Sequence, residues 1–173
     1  MRMSKSFSIR TYGDKTLRSK NDRVKDFGPE LGPLFDRMEE TMIVSKGVGL
    51  AAPQVGIARQ IAVVNPEPDE EKSLLKMVNP RIVWTSQETD TVEEGCLSVP
   101  GIRGEVVRHS KIEVVYQDEH GKEHALKAEG LLARIIQHEI DHLNGVLFID
   151  RLSFAKRALI KPKLKSLASG KGQ

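Results

Sequence analysis

A single cysteine, Cys96, stands among 173 residues, so no disulfide can close within the chain. Long apolar runs are missing as well: no stretch approaches the roughly 20 apolar residues that span a bilayer. Met1 to Ser8 carries no apolar segment of the secretory kind. These absences point to the cytoplasm, although a mature organellar protein without its transit peptide reads the same way. Neither a membrane nor DNA is expected as a partner. Internal repeats and linkers are absent too, and residues 1–173 read as one domain with a single sizeable core. A further absence is local. After Asp150 there is no acidic residue, while Arg151, Lys156, Arg157, Lys161, Lys163, Lys165 and Lys171 are all basic. Of 27 Lys and Arg, these seven leave 20 against 24 acidic residues before position 151, a net charge of −4 on the body. The basic tail, residues 152–173, is either a solvated end or a footing for a polyanion such as RNA.

What the chain does hold is periodic. Leu31, Leu34, Phe35, Met38, Met42 and Ile43 recur at helical spacing between Pro29 and Ser45, and Pro29 suits a first turn. Three glycines and Pro53 in the segment 47–56 break that helix. Strand-like runs follow at Ile61–Asn65, Met77–Trp84, Ile112–Tyr116 and Glu123–Ala128, and Pro66 to Ser73 reads as an exposed acidic loop. A helix from Gly130 to about Leu143 ends at Asn144-Gly145. Ser153 caps a last helical stretch that Pro162 kinks or splits. The order predicts an α+β fold: a central helix among short antiparallel sheets, an N-terminal helix and a C-terminal helical tail.

The chemistry concentrates in Gln137-His138-Glu139-Ile140-Asp141-His142, which contains His-Glu-x-x-His. On a helix, residues four apart stack on one face, so His138 and His142 can reach one metal ion. Glu139 lies beside the first histidine, placed to handle the proton of a water on that metal. Leu131, Ile135, His138 and His142 follow one helical stripe, which puts the histidines on the apolar, inward face. An amphipathic helix with surface histidines is the plainer alternative. A tetrahedral catalytic site needs a third protein ligand and an open position. Cys96, within Glu93-Glu94-Gly95-Cys96-Leu97-Ser98-Val99-Pro100, is the leading candidate, though a lone cysteine is more often a small buried hydrophobe.

Three segments, 47–56, 93–100 and 137–142, stand out together, and their order and spacing resemble the peptide deformylases. These bacterial and organellar enzymes remove the formyl group from the N-terminal formylmethionine of new proteins. The likeness runs from Tyr12-Gly13-Asp14 to Gly145-Val146-Leu147-Phe148. It implies metal-dependent hydrolysis with release of formate. It implies Cys96, His138 and His142 as ligands, Glu139 as acid and base, and Gln54 with the Leu97 N–H as donors to the oxyanion. Gly49 is then a point where backbone approaches the substrate; the plainer reading of Gly47 and Gly49 is a loop with positive φ. Gln54 reads equally as a hydrogen-bonded structural amide. Val48, Val92, Leu131 and Ile135 would line the pocket for the methionine side chain, with Arg103 near the bound peptide. Arg134 departs from an apolar lining, its head reaching solvent or a surface ion pair. Glu94, Arg108 and Asp141 are candidates for orienting the ligands, or are ordinary surface charges.

The resemblance implies ferrous iron as the physiological metal, with zinc, nickel or cobalt in purified protein. It also implies docking of the basic tail on the ribosome, where nascent chains emerge. Two other classes compete. A zinc endopeptidase of the His-Glu-x-x-His type takes a third His or Glu downstream, and after His142 the chain offers only Asp150. A silent ribosome-binding or formyl-peptide-binding module would not need Glu139 and Gln54 beside all three ligands.

Overall fold

A computed structural model describes residues 6–67 and 74–170. Residues 1–5, most of the acidic loop 66–73, and Lys171 at the tail lie outside the described residues. The first helix, α1 (Leu31–Val44), begins after Pro29 and not at it, and turns Phe35, Met38 and Met42 into the core. A three-residue strand, β1 (Gly49–Ala51), follows, then a 3₁₀ turn over Ala52–Val55 that holds Pro53 and Gln54 buried. The expected strands are present as β2 (Ile61–Val64), β3 (Leu75–Thr85), β6 (Lys111–Gln117) and β7 (Glu123–Glu129). With β1 they form one antiparallel sheet in the order β1-β2-β3-β6-β7.

Between β3 and β6 the chain makes a second, two-stranded sheet from β4 (Thr89–Cys96) and β5 (Val99–His109). Leu97 and Ser98 form its turn, and Cys96 pairs with Val99. This hairpin has no counterpart among the strand-like runs read from the sequence.

The helix α2 (Gly130–Leu143) matches its expected bounds, and its residues from Ala133 to Leu143 are nearly all buried. It touches β1, β2, β5, β6 and β7, so it is the central element on which both sheets rest. Its far end is fixed by side chains. Asn21 donates through Nδ2 to the Leu143 carbonyl at 2.8 Å, and Gln60 donates through Nε2 to the same oxygen at 3.0 Å. A helix leaves its last carbonyls without partners of its own, and these two amides satisfy one of them where water does not reach. Gly145, with φ of 73°, then turns the chain away.

The last helix, α3 (Phe154–Ala168), is capped by Ser153 as expected, but it runs through Pro162 without splitting. Proline there removes one helical bond to Ala158. Ala158 and Pro162 are both exposed, so the freed carbonyl lies on the wet face. Ile160, Leu164 and Leu167 anchor α3 against Val99, Ile102 and Tyr12. Among the described residues no helix is long and apolar enough to cross a membrane.

Candidate metal centre

The strand β4 and the helix α2 meet where β4 ends. Cys96 Sγ lies 3.2 Å from His142 Nε2, and His142 Nε2 lies 3.2 Å from His138 Nε2. All three ligand atoms fall within 4.8 Å of one another, the spacing at which one ion can touch each of them. His142 is fully buried and His138 half-buried, so the surface-helix reading of this motif fails.

The outer nitrogens differ. His138 Nδ1 is 3.0 Å from Glu94 Oε2, whereas the buried Nδ1 of His142 has no partner among the described residues. Glu94 is itself gripped twice by Arg108, from Nε at 2.6 Å and Nη2 at 2.9 Å. Arg108 also donates to Asp141 Oδ2 at 2.8 Å, and Arg151 donates to both oxygens of Asp141. Glu94, Arg108 and Asp141 are all buried, so they are not surface charges. Burial opposes ionisation of Glu94, but the Arg108 and His138 hydrogen bonds outweigh it and hold the carboxyl well below the usual range. Burial likewise opposes a proton on His138, yet Cys96 and Glu94 beside it push its pKa up to about 10. Burial and the charge of His138 drive His142 the other way, well below its ordinary value. A sulfur and two imidazoles thus converge at one point, with the Glu94 carboxylate behind one imidazole. A divalent cation suits that donor set.

Glu139 points from the same helix at the same space. Its Oε2 is buried and has no hydrogen-bond partner among the described residues. Burial pushes its pKa up to about 7, against the pull of His138 and Arg108. Its other oxygen explains Gly49: a Cβ built there would sit 2.4 Å from Glu139 Oε1. Neither Gly47 nor Gly49 has positive φ, so that reading of the pair is wrong. The close approach at Gly49 is made by the carboxylate of this chain.

Gln54 is a buried, hydrogen-bonded amide, as its structural reading expects. Its Oε1 accepts from the Ala51 N–H at 2.9 Å, which locks the amide, and Nε2 points to Ser98 Oγ at 3.2 Å and Cys96 Sγ at 3.5 Å. Leu97 occupies the adjacent turn, and the Ser98 N–H donates to the sulfur at 3.4 Å. A cavity of about 650 Å³ opens over this group, lined by Gly49, Gln54, Leu97, Glu139, Cys96 and His138.

The other expected pocket residues divide by depth. Ile135 is buried at the wall, while Val48, Val92 and Leu131 rim the opening with 40%, 46% and 58% exposure. Arg103 sits at the rim too, its side chain paired with Glu93 at 2.8 Å. Arg134 is a correction. Its head reaches neither solvent nor a surface ion pair but lies buried, bonded to Glu94, Asp90 and the Val106 carbonyl. Ser98 and Gln137 lie inside the segments that carry the resemblance and Arg151 opens the basic stretch, but the sequence gives none of the three a role of its own. Gln137 nonetheless ties α2 to His109 through both ends of its amide, with the His109 N–H donating to Oε1 and Nε2 donating to the His109 carbonyl.

Residues 6–158 match the family model described as polypeptide deformylase. The peptide deformylase of Halothermothrix orenii is 50% identical over 144 residues, which cover 83% of this chain and 92% of that one. That of Brachyspira hyodysenteriae is 42% identical over 160 residues, covering 90% and 86%. Among solved structures, peptide deformylase 1B of Arabidopsis thaliana, in complex with an inhibitor, superposes with a TM-score of 0.90 at 40% identity. It covers 93% of this chain and 90% of its own. The Plasmodium falciparum peptide deformylase gives 0.89 at 39% identity, covering 94% and 96%. With so much of the length matched at such identity, the chain belongs to the polypeptide deformylase family.

Proposed function

We propose that this chain hydrolyses the N-terminal formyl group of formylmethionyl peptides, with Cys96, His138 and His142 holding one divalent metal ion. The observation that carries this is the convergence of three ligand atoms beside a buried, unpartnered carboxylate oxygen of Glu139, all opening on one cavity. The metal supplies Lewis-acid activation of water and of the formyl carbonyl. Glu139 takes the proton of the attacking water and later gives it to the departing amine. Gln54 Nε2 and the Leu97 N–H donate to the oxyanion that forms at the formyl carbon. Ala51 holds the Gln54 amide in place, so its donor is aimed before substrate arrives. Val48, Val92, Leu131 and Ile135 receive the methionine side chain, and Arg103 lies beside the peptide that follows it.

Ferrous iron is the physiological occupant in this reading, and zinc, nickel or cobalt fit the same thiolate and imidazole set. The whole chain acts as one catalytic domain, in the cytoplasm, on chains leaving the ribosome. The exposed basic side chains of α3 provide the docking surface there. An endopeptidase is disfavoured because the third ligand candidate comes from β4, upstream of α2, and not from downstream of it. Formate release from formyl-Met-Ala-Ser, with metal analysis of the same sample, tests the proposal. Turnover with about one metal per chain is expected. Metal-loaded protein that cleaves internal peptide bonds and leaves the formyl group intact would overturn it.

A further inference from the structure

The hairpin that delivers Cys96 is a sheet of only two strands, and a two-stranded ribbon is marginally stable without support. Leu147, Phe148, Leu152 and Ile160 pack on its apolar side chains, and α2 holds it through polar ones. His138 bonds β4 alone, through Glu94, while Asp141 and Gln137 bond β5 alone, through Arg108 and His109. Among the described residues, Arg134 is the side chain of α2 that bonds both strands. Its Nη1 donates to Glu94 Oε1 at 2.7 Å and to the Val106 carbonyl at 3.0 Å. Its Nη2 donates to Asp90, at Oδ1 at 2.5 Å and at the backbone oxygen at 3.1 Å.

Position along the strand gives this grip its meaning. Side chains two apart on a strand share a face, so within the regular register of β4 Asp90, Val92 and Glu94 point the same way. Arg134 holds Asp90 and Glu94, the residues flanking Val92 at the rim of the cavity. Glu94 in turn holds His138, which stands one helical turn after Arg134. One guanidinium therefore touches the rim and the carboxylate behind a ligand at once. A planar fork with five donors can do this, and a lysine ammonium cannot reach four oxygens on two strands.

We propose that Arg134 is a positioning residue that fixes the Cys96 hairpin on the histidine helix. It thereby sets both the retention of the metal and the fit of the substrate side chain against Val92. This deepens the deformylase reading and rests on its three ligands. Removing Arg134 leaves Glu94 paired with Arg108 and leaves Asp90 half-exposed, so no buried charge is stranded and the variant should fold.

The test uses the zinc-loaded full chain as wild type, Arg134→Leu, Arg134→Lys and Asp90→Asn, followed by zinc release to a chromogenic chelator and by steady-state kinetics on formyl-Met-Ala-Ser. Arg134→Leu should release zinc roughly 10–100-fold faster and raise KM by a similar factor, with a smaller change in kcat. Arg134→Lys should fall between it and wild type. Asp90→Asn should raise KM with little change in zinc release, because Glu94 keeps its partners. If Arg134→Leu melts lower yet matches the wild type in zinc release and KM, its role is only structural and the inference is overturned. If the wild type itself fails to hold about one zinc per chain, the ligand set falls and this inference falls with it.

Discussion

Single residues carry the chemistry, and those with a motif around them were legible in the sequence. The spacing of His138 and His142 places both imidazoles at one point, and their ligand atoms do meet. The proposed donor role of Gln54 comes from the resemblance alone, because a glutamine in a 3₁₀ turn has no periodicity to betray it. Its surroundings now define a measurement. Gln54→Leu should retain metal and melt near the wild type, and should lower turnover by about 10²–10³-fold, as loss of an oxyanion donor does. An unchanged rate would leave the oxyanion to the Leu97 N–H and the metal. The resemblance makes Gly49 a point of approach to the substrate, while the fold places Glu139 beside it, a proximity that no sequence spacing between residues 49 and 139 shows. A methyl group at Gly49 would collide with Glu139 Oε1. Gly49→Ala should therefore displace the carboxylate and lower formate release by about 10²-fold with metal content unchanged, since displacements near 1 Å cost that much. Wild-type turnover in this variant would mean that the position of Glu139 is not critical.

At the scale of elements, legibility followed hydrophobic pattern. The helix α2 was readable to the residue because its apolar stripe, its Asn144-Gly145 ending and its motif agree. The β4–β5 hairpin was not. Along β5 the inward positions are Ile102, Gly104, Val106 and Arg108, so two of four carry no apolar side chain and the alternation vanishes from the sequence. Gly104 is inward because Leu152 packs over it, and Arg108 because Glu94 and Asp141 wait for it. A different ion pair lies after α2. Asp150 accepts from Arg18 and from the Leu147 N–H, which ties the turn after α2 to the N-terminal segment. Burial raises the Asp150 pKa, but these partners outweigh it and lower the pKa below its ordinary value. A lowered folded pKa gives stability that is present above the ordinary value near 4 and lost as pH falls through the folded one. Asp150→Asn should thus lower Tm by about 2–4 °C at pH 7, and the gap should close below about pH 4. A gap that persists unchanged in acid would assign the loss to packing instead of charge.

Over the whole molecule, charge separates the acidic body from the basic end, and this was legible by counting alone. The packing of that end was not. Phe154 and Leu159 are exposed, while Ile160, Leu164 and Leu167 anchor the helix. Truncation after Leu152 would therefore take Ile160, Leu164 and Leu167 from a core cluster as well as removing charges. Neutralising the exposed Arg157, Lys161 and Lys165 to glutamine separates the two effects. The triple variant should co-sediment less with ribosomes at low salt and converge with the wild type as salt rises, because phosphate contacts weaken steeply with salt. Its activity on a short formyl peptide should stay within about twofold of wild type, since surface changes away from such anchors cost little. Equal sedimentation at both salt concentrations would leave the basic end as a solvated surface.

In the proposed mechanism three residues hold the metal while Glu139 moves the proton. Glu139→Ala separates these roles when formate release and metal content are measured on the same sample. About one metal per chain and turnover reduced by several orders of magnitude are expected, because the variant loses the proton carrier and no ligand. Loss of the metal together with activity, or turnover near that of the wild type with the metal in place, would contradict it.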